Sequence, residues 1–208
     1  YVAHALKNDL NKIDWCAALL DEQLPENREL QIIRGSVDHL RALLQRTRMH
    51  TGRVVLSPDD CDVRALFEQI IRETPHTDAL RIEIDRCDDA PLYCDPSHVR
   101  EALTNLVGNA VEAMRGAGRI TLSYVRTARK AAVSVCDDGP GMSPAAQKRI
   151  FEPYYTTKTS GENFGLGLYY CQNVMNVHEG SIRVSSAPGK GCAFTLIFPL
   201  AAQGRRKP

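Results

Sequence analysis

Residues 95–114, D-P-S-H-V-R-E-A-L-T-N-L-V-G-N-A-V-E-A-M, decide how the chain is read. Asp95 followed by Pro96 starts a helix: the carboxylate accepts free backbone N–H groups, and proline sits where it has no N–H to lose. Val99, Leu103, Leu106, Ala110 and Met114 then recur every three or four residues, an apolar stripe that turns one side of the helix inward. Asn105 and Asn109 are one turn apart and share a face with Glu101 and Glu112 beside that stripe. Two amides so placed can hold phosphate oxygens and a hydrated divalent cation through neutral dipoles, without adding charge. A solvated polar face would carry the same residues, so the helix alone does not choose between the two.

The stretches that follow narrow the choice. Strand patterns at 120–125 and 131–136 lead into V-C-D-D-G-P-G-M, with Asp137 at a strand end and Gly139 and Gly141 behind it. A strand-terminal carboxylate can accept from the exocyclic amine of adenine, and glycines let backbone approach a flat base. Next come F-E-P-Y-Y-T-T-K at 151–158 and a polar, glycine-containing segment running to Phe164, which read as a mobile lid. Lys158 is available there as a point charge for phosphate. Gly165, Leu166, Gly167 and Leu168 open a helix over 168–176, whose first amides form an anion site. Strands over 181–186 and 193–199 close the chain as a hairpin around Gly189, Lys190 and Gly191. Each motif, taken singly, has an ordinary reading as a turn or a polar surface.

Upstream, strands are expected at 54–56, 80–84 and 91–94, with turn and cap residues at 57–62 before a helix through Ala65, Leu66, Ile70 and Ile71. Strands and helices mix without strict alternation, which predicts an α/β sandwich with its helices on one sheet face. The first fifty residues differ. Leu6, Leu10, Ile13, Ala17, Leu20 and Leu24 form one heptad seam, and Leu30, Ile33, Val37, Leu40, Leu44 and Thr47 form a second. Pro25 lies between them, at a helix–helix turn. Two helices have too little core to stand alone, so a second copy is expected to complete a four-helix bundle.

Composition sets outer limits. The 208 residues suit one or two domains, and 43% hydrophobic with 25% charged is a globular balance. A net charge of +1 leaves no basic excess to displace counterions from phosphates, so nucleic acid is not an expected partner. Apolar runs such as 193–200 are too short to span a bilayer, and no signal peptide is visible, so no direct membrane contact is expected. The chain starts at Tyr1 rather than Met, which reads as a fragment of a longer protein. Seven cysteines, odd in number, widely spaced and without a C-x-x-C pair, argue against zinc and a disulfide framework and fit a reducing cytoplasm.

The order of these motifs carries more than any one of them. An asparagine-bearing helix, D-D-G-P-G, F-E-P-Y-Y-T-T-K, G-L-G-L and G-K-G-x-x-F resemble, in this succession, the asparagine, first glycine, phenylalanine, second glycine and third glycine boxes of bacterial two-component sensor histidine kinases. The resemblance covers 54–200, and the hairpin before it fits as well. It implies a dimerisation and histidine-phosphotransfer hairpin over 1–52, a Bergerat-fold catalytic domain over 53–203 and a basic tail over 204–208. That fold is shared with gyrase, Hsp90-type and mismatch-repair ATPases.

The resemblance also implies ATP and Mg²⁺, with Asn109 linked to the magnesium and Asn105 near the phosphates. It puts adenine on Asp137 in a pocket shaped by Gly139 and Gly141. Lys158 and the stretch Gly165, Leu166, Gly167 and Leu168 fall on the phosphate side. Hydrolytic relatives carry glutamate at the place of Asn105, and an amide cannot act as general base on water. Transfer to another nucleophile is therefore favoured over hydrolysis.

That nucleophile is expected to be His4, in H-A-L-K-N-D-L, which resembles the family's histidine box. A receiver-domain aspartate of a response regulator would then take the phosphoryl group. Asn8 matches the residue that positions water for dephosphorylating the partner. Two positions depart from the pattern. Ala5 stands where an acidic residue assists the histidine, leaving Asp9 as a substitute base, and Asn163 replaces the first glycine of the second glycine box. Ala5 keeps a second reading open: a degenerate or phosphatase-biased partner of a receiver domain, with little autokinase activity.

Overall fold

A computed structural model of the chain describes residues 12, 13, 16, 17, 20, 27, 30, 32, 33, 36, 37, 56–75, 77–156 and 165–200. The chain divides into two compact units, residues 1–55 with 154–166, and residues 56–153 with 167–208. In the first unit, Lys12, Ile13, Cys16, Ala17 and Leu20 are helical, as are Leu30, Ile32, Ile33, Ser36 and Val37. Asn27 Oδ1 accepts the Leu30 N–H at 3.0 Å, an asparagine cap on the second helical stretch. Of the seam residues, Ala17, Leu30 and Val37 are buried, whereas Ile13, Leu20 and Ile33 stay exposed.

The second unit runs β1 (Asp59–Cys61), α1 (Val63–Glu73), β2 (Leu80–Cys87), β3 (Leu92–Cys94), α2 (Pro96–Ala113), β4 (Gly118–Arg126), β5 (Lys130–Asp137), α3 (Pro144–Arg149), α4 (Gly167–Val177), β6 (Ser181–Ser186) and β7 (Cys192–Pro199). The main sheet has five strands in the order β2-β4-β5-β7-β6, parallel between β2 and β4 and antiparallel elsewhere. A parallel pair needs a crossover, and α2 supplies it between β2 and β4.

Period-two alternation sorts the sheet faces. Ile120, Leu122 and Tyr124 of β4, Ala131, Val133 and Val135 of β5, and Phe194, Leu196 and Phe198 of β7 are buried. The alternate residues, among them Ser123, Ser134 and Thr195, are only half-buried. The helices α1, α2 and α4 all pack on strands of this sheet. Their buried residues are Leu66, Phe67 and Ile70 on α1, Val99, Leu103, Leu106 and Val107 on α2, and Cys171, Val174 and Met175 on α4. The α/β sandwich expected from the sequence is the observed fold.

Two elements differ from the sequence reading. Residues 59–61, expected as turn and cap, form β1, an antiparallel partner of β3. Asp-Asp-Cys has little strand propensity; pairing with Leu92–Cys94 makes it a strand, and that partner is remote in sequence. Leu56 is not in a strand. Helix α3 lies between the D-D-G-P-G-M motif and F-E-P-Y-Y-T-T-K, where no element is expected from the sequence. Its Ser143–Pro144 start follows the same cap-and-proline rule as Asp95–Pro96, but no side chain in it is buried, so it has no apolar period to read.

Asp95 is the buried carboxylate on which α2 hangs, 5% exposed. Its Oδ1 accepts the Ser97 and His98 N–H groups at 3.1 Å, and its Oδ2 accepts Ser57 N–H at 2.9 Å. Its own N–H donates to His178 Nε2 at 3.0 Å, while His178 Nδ1 donates to the Val174 carbonyl at 2.7 Å. His178 therefore carries its proton on Nδ1 and ties the end of α4 to the start of α2. Burial works to raise the Asp95 pKa, but the donors at Ser57, His98 and Ser97 together outweigh it and hold the carboxyl below its usual range.

A lowered folded-state pKa adds stability that is complete above the unfolded value of roughly 3.9 and is lost as pH falls through the folded value. Asp95→Ala is expected to cost about 1–2 kcal/mol at pH 7. Urea denaturation should find that deficit shrinking below about pH 4, where the wild type loses the same interaction.

Candidate functional site

Helix α4 lies antiparallel along α2, and four contacts define the seam. A β-carbon at Gly167 would stand 3.5 Å from Asn105 Oδ1, so the first residue of α4 faces the first asparagine of α2. Tyr170 O–H donates to Glu101 Oε2 at 2.6 Å, and Cys171 Sγ to the Ala102 carbonyl at 3.4 Å. The His178 contact with Asp95 closes the far end. Asn105 and Asn109 are half-buried, one turn apart. The amides of α4's first turn have no intrahelical acceptor, and the helix dipole adds to their pull on an anion.

Asp137 ends β5 opposite Cys192 of β7. Its carboxylate accepts the Gly139 N–H at 3.0 Å and the backbone N–H of Cys192. Burial is the largest influence on this group and raises its pKa; those two donors pull it back, Asp138 pushes it up, and the result lies above the usual carboxylate range. The group is half-buried at the strand end.

Met114, read from the sequence as a core residue, is also part of this site. It caps the end of α2, and a β-carbon on Gly139 would lie 3.0 Å from its Cγ, one on Gly118 2.6 Å from its Sδ. The Met114 side chain thus lies under Gly139 and Gly118, the glycines beside Asp137 and Asp138. Asn105 is nine residues before Met114, about 13 Å along the helix. Nine residues are about two and a half turns, so the two side chains leave opposite sides of α2.

The loop after Asp137 is held by the β6–β7 hairpin. Gly191 N–H donates to the Gly139 carbonyl at 3.0 Å, and Gly189 N–H to the Pro140 carbonyl at 2.7 Å. Met142 N–H donates to Ser186 Oγ at 2.8 Å, which donates to the Gly191 carbonyl at 2.7 Å. Gln147 Nε2 spans the Met142 and Ser186 carbonyls. A β-carbon at Gly141 would overlap the Ala187 carbonyl, and one at Gly191 the Asp137 carbonyl. These glycines let two backbones touch. Asp138 locks the other side, accepting Arg119 N–H at 2.8 Å.

Among the residues singled out in the sequence, Asn105 and Gly167 come together, as do Asp137 and Gly139, while Gly141 joins the hairpin. Leu168 lies in the first turn of α4, half-buried. In the other unit, Tyr154 N–H donates to the Gly165 carbonyl at 3.1 Å, pinning the two ends of the stretch that includes 156–164. Gly165 has φ +64, and a β-carbon there would lie 2.5 Å from the Tyr155 carbonyl oxygen. His4, Asn8 and Lys158 lie outside the described residues. Met114, Cys192, Ser186 and Gln147 were missed. Only the position of Met114 at the end of the asparagine helix was a signal; the others are defined by contacts remote in sequence.

A five-stranded mixed sheet with three helices on one face, an aspartate at a strand end and a paired asparagine helix define a nucleotide-binding sandwich of the Bergerat type. Residues 94–202 match the family of histidine kinase-, DNA gyrase B-, and HSP90-like ATPases, and the chain belongs to it. It is similar to the signal transduction histidine-protein kinase AtoS of Escherichia coli, 32% identical over 213 residues, which cover 99% of this chain and 35% of AtoS. It is 39% identical over 178 residues to the adaptive-response sensory kinase SasA of Crocosphaera subtropica, covering 84% of this chain and 45% of SasA. The chain thus spans less than half the length of either relative. The crystal structure of full-length ShkA in complex with AMPPNP superposes with a TM-score of 0.75, at 26% identity, over 95% of this chain and 44% of that one.

The glycine contacts separate two positions that the sequence does not. Both Gly189 and Gly191 have positive φ, but a β-carbon on Gly189 meets nothing within 4 Å. Gly189→Ala should cost only the left-handed backbone penalty, about 1 kcal/mol. Gly191→Ala should cost about 3 kcal/mol or more, since backbone must move. Thermal unfolding of the two variants side by side checks this.

Proposed function

We propose that the chain is the kinase core of a two-component sensor, with ATP and Mg²⁺ as phosphoryl donor and His4 as acceptor. Residues 1–52 form the dimerisation and phosphotransfer hairpin, 53–203 the catalytic domain and 204–208 a basic tail. The observation that carries the reading is Asn105: an amide, not a carboxylate, packed against the first residue of α4. It can orient phosphate oxygens but cannot take a proton from water, so the γ-phosphoryl group is preserved for an imidazole. The AMPPNP bound to ShkA supports ATP as the ligand.

Base, phosphates and metal divide along α2. Ionised Asp137 accepts the adenine amine above Met114, with Gly139 and Gly141 keeping the loop open beside it. The phosphates lie between Asn105, Asn109 and the stretch Gly165, Leu166, Gly167 and Leu168, with Lys158 neutralising charge from the lid. Among the described residues no group of three or more His, Cys, Asp or Glu could hold a metal ion. The amide oxygens of Asn105 and Asn109 suit a magnesium ion that brings phosphate oxygens and water with it. An imidazole nitrogen of His4 attacks the γ-phosphorus as the bond to ADP breaks. A receiver-domain aspartate of a response regulator then takes the group.

Exposed Ile13, Leu20 and Ile33 support a homodimer through the hairpin. Among the described residues no helix is long and apolar enough to cross a membrane. A cytoplasmic location belongs to this proposal. A second reading rests on Ala5: without the acidic neighbour His4 loses its base, and Asn8 biases the protein toward dephosphorylating its partner.

Incubation with γ-labelled ATP and Mg²⁺ tests the reading. The wild type should gain an acid-labile, alkali-stable label. His4→Gln should lose the label while binding nucleotide as before, and retained label on that variant would overturn the acceptor assignment. No label on a wild type that binds ATP would favour the second reading. Asp137→Asn should bind ATP at least tenfold more weakly. Because the Asp137 pKa is raised, wild-type affinity should begin to fall at a higher pH than an ordinary carboxylate would give, protonation removing the acceptor; the asparagine variant should lack that step.

A further inference from the structure

Tyr170 stands one turn into α4, and its hydroxyl is committed on two sides. It donates its one proton to Glu101 Oε2 at 2.6 Å, so His98 Nδ1, 3.1 Å away, donates to the tyrosine oxygen. His98 is itself fixed, since its backbone N–H is bound by Asp95. Burial, reinforced by the Glu101 carboxylate, pushes the Tyr170 pKa far above its ordinary value, which keeps the proton on the phenol. Glu101, Asn105 and Asn109 follow one another at one-turn intervals on α2. The tyrosine is thus anchored one turn from the point where Gly167 meets Asn105. Cys171, a weak thiol donor, and His178 at the far end also tie the two helices.

We propose that Tyr170 is a positioning residue for the phosphate end of the nucleotide: through Glu101 and His98 it holds the first turn of α4 against Asn105 without touching the ligand. This rests on the nucleotide reading above. Asp137 and Met114 are on the base side and do not depend on the hydroxyl. Loss of the hydroxyl would let the first turn drift, while the rest of α4 stays packed through its own buried Cys171, Val174 and Met175. A residue that only stabilised the fold would weaken base and phosphate binding alike; Tyr170 should act on one of them.

The test is calorimetric titration of the full chain with adenosine and with ATP and Mg²⁺, wild type beside Tyr170→Phe. The expected result is ATP affinity on the order of tenfold lower with adenosine affinity within twofold of wild type. Glu101→Gln, which keeps an oxygen for the tyrosine proton, should hold ATP within about threefold, and Glu101→Leu should reproduce the selective loss even if the tyrosine variant does not fold. Equal ATP affinity in Tyr170→Phe and wild type, or a parallel loss of adenosine and ATP, overturns the proposal. A wild type that binds neither ligand overturns the nucleotide reading itself, and is distinguished by that control alone.

Discussion

The antiparallel contact between α2 and α4 is the constraint on which the rest of the second unit depends. Both helices turn apolar stripes to the sheet, but burial is non-directional and would tolerate a slide of one along the other. Directional bonds remove that freedom. Asp95 satisfies the first N–H groups of α2 and, through its own N–H, holds the imidazole at the end of α4. Tyr170 holds Glu101 near the other end. With both ends fixed, the first residue of α4 meets Asn105.

The acidic end is built by a different means. Asp137 and the loop behind it are positioned by backbone against backbone, the 138–142 loop against the β6–β7 hairpin, at distances that only glycine permits. Burial raises the Asp137 pKa, and two backbone donors partly offset it. The carboxyl is half-buried at the strand end, and its ionised form is less favoured than that of an exposed carboxylate. Such a group gains more from a hydrogen-bonding partner than an exposed carboxylate would, since part of its water has already been removed.

How far the sequence reveals this differs by residue. The start of α2, its stripe and its asparagine face are legible because caps and period are local properties, and all five inward residues proposed there are buried. The strands of the main sheet are legible for the same reason. Strand β1 and helix α3 are not, because one owes its form to a remote partner and the other buries nothing. Asp137, Gly139 and Gly141 form one motif in the sequence, yet the hairpin's hold on Gly141 lies in a contact 46 residues away, between positions 141 and 187. Tyr170 reads as one more apolar position of a helix until Glu101, on another helix, is seen to take its proton.

A crystal structure of the chain with Mg²⁺ and a non-hydrolysable ATP analogue tests the central claim, that the base lies past the C-terminal end of α2 and the phosphates beside its asparagines. The account predicts the adenine amine on the Asp137 carboxylate over Met114, with the phosphates between Asn105, Asn109 and the first turn of α4. Phosphates bound away from that turn, or a base seated elsewhere than at Asp137, would contradict it.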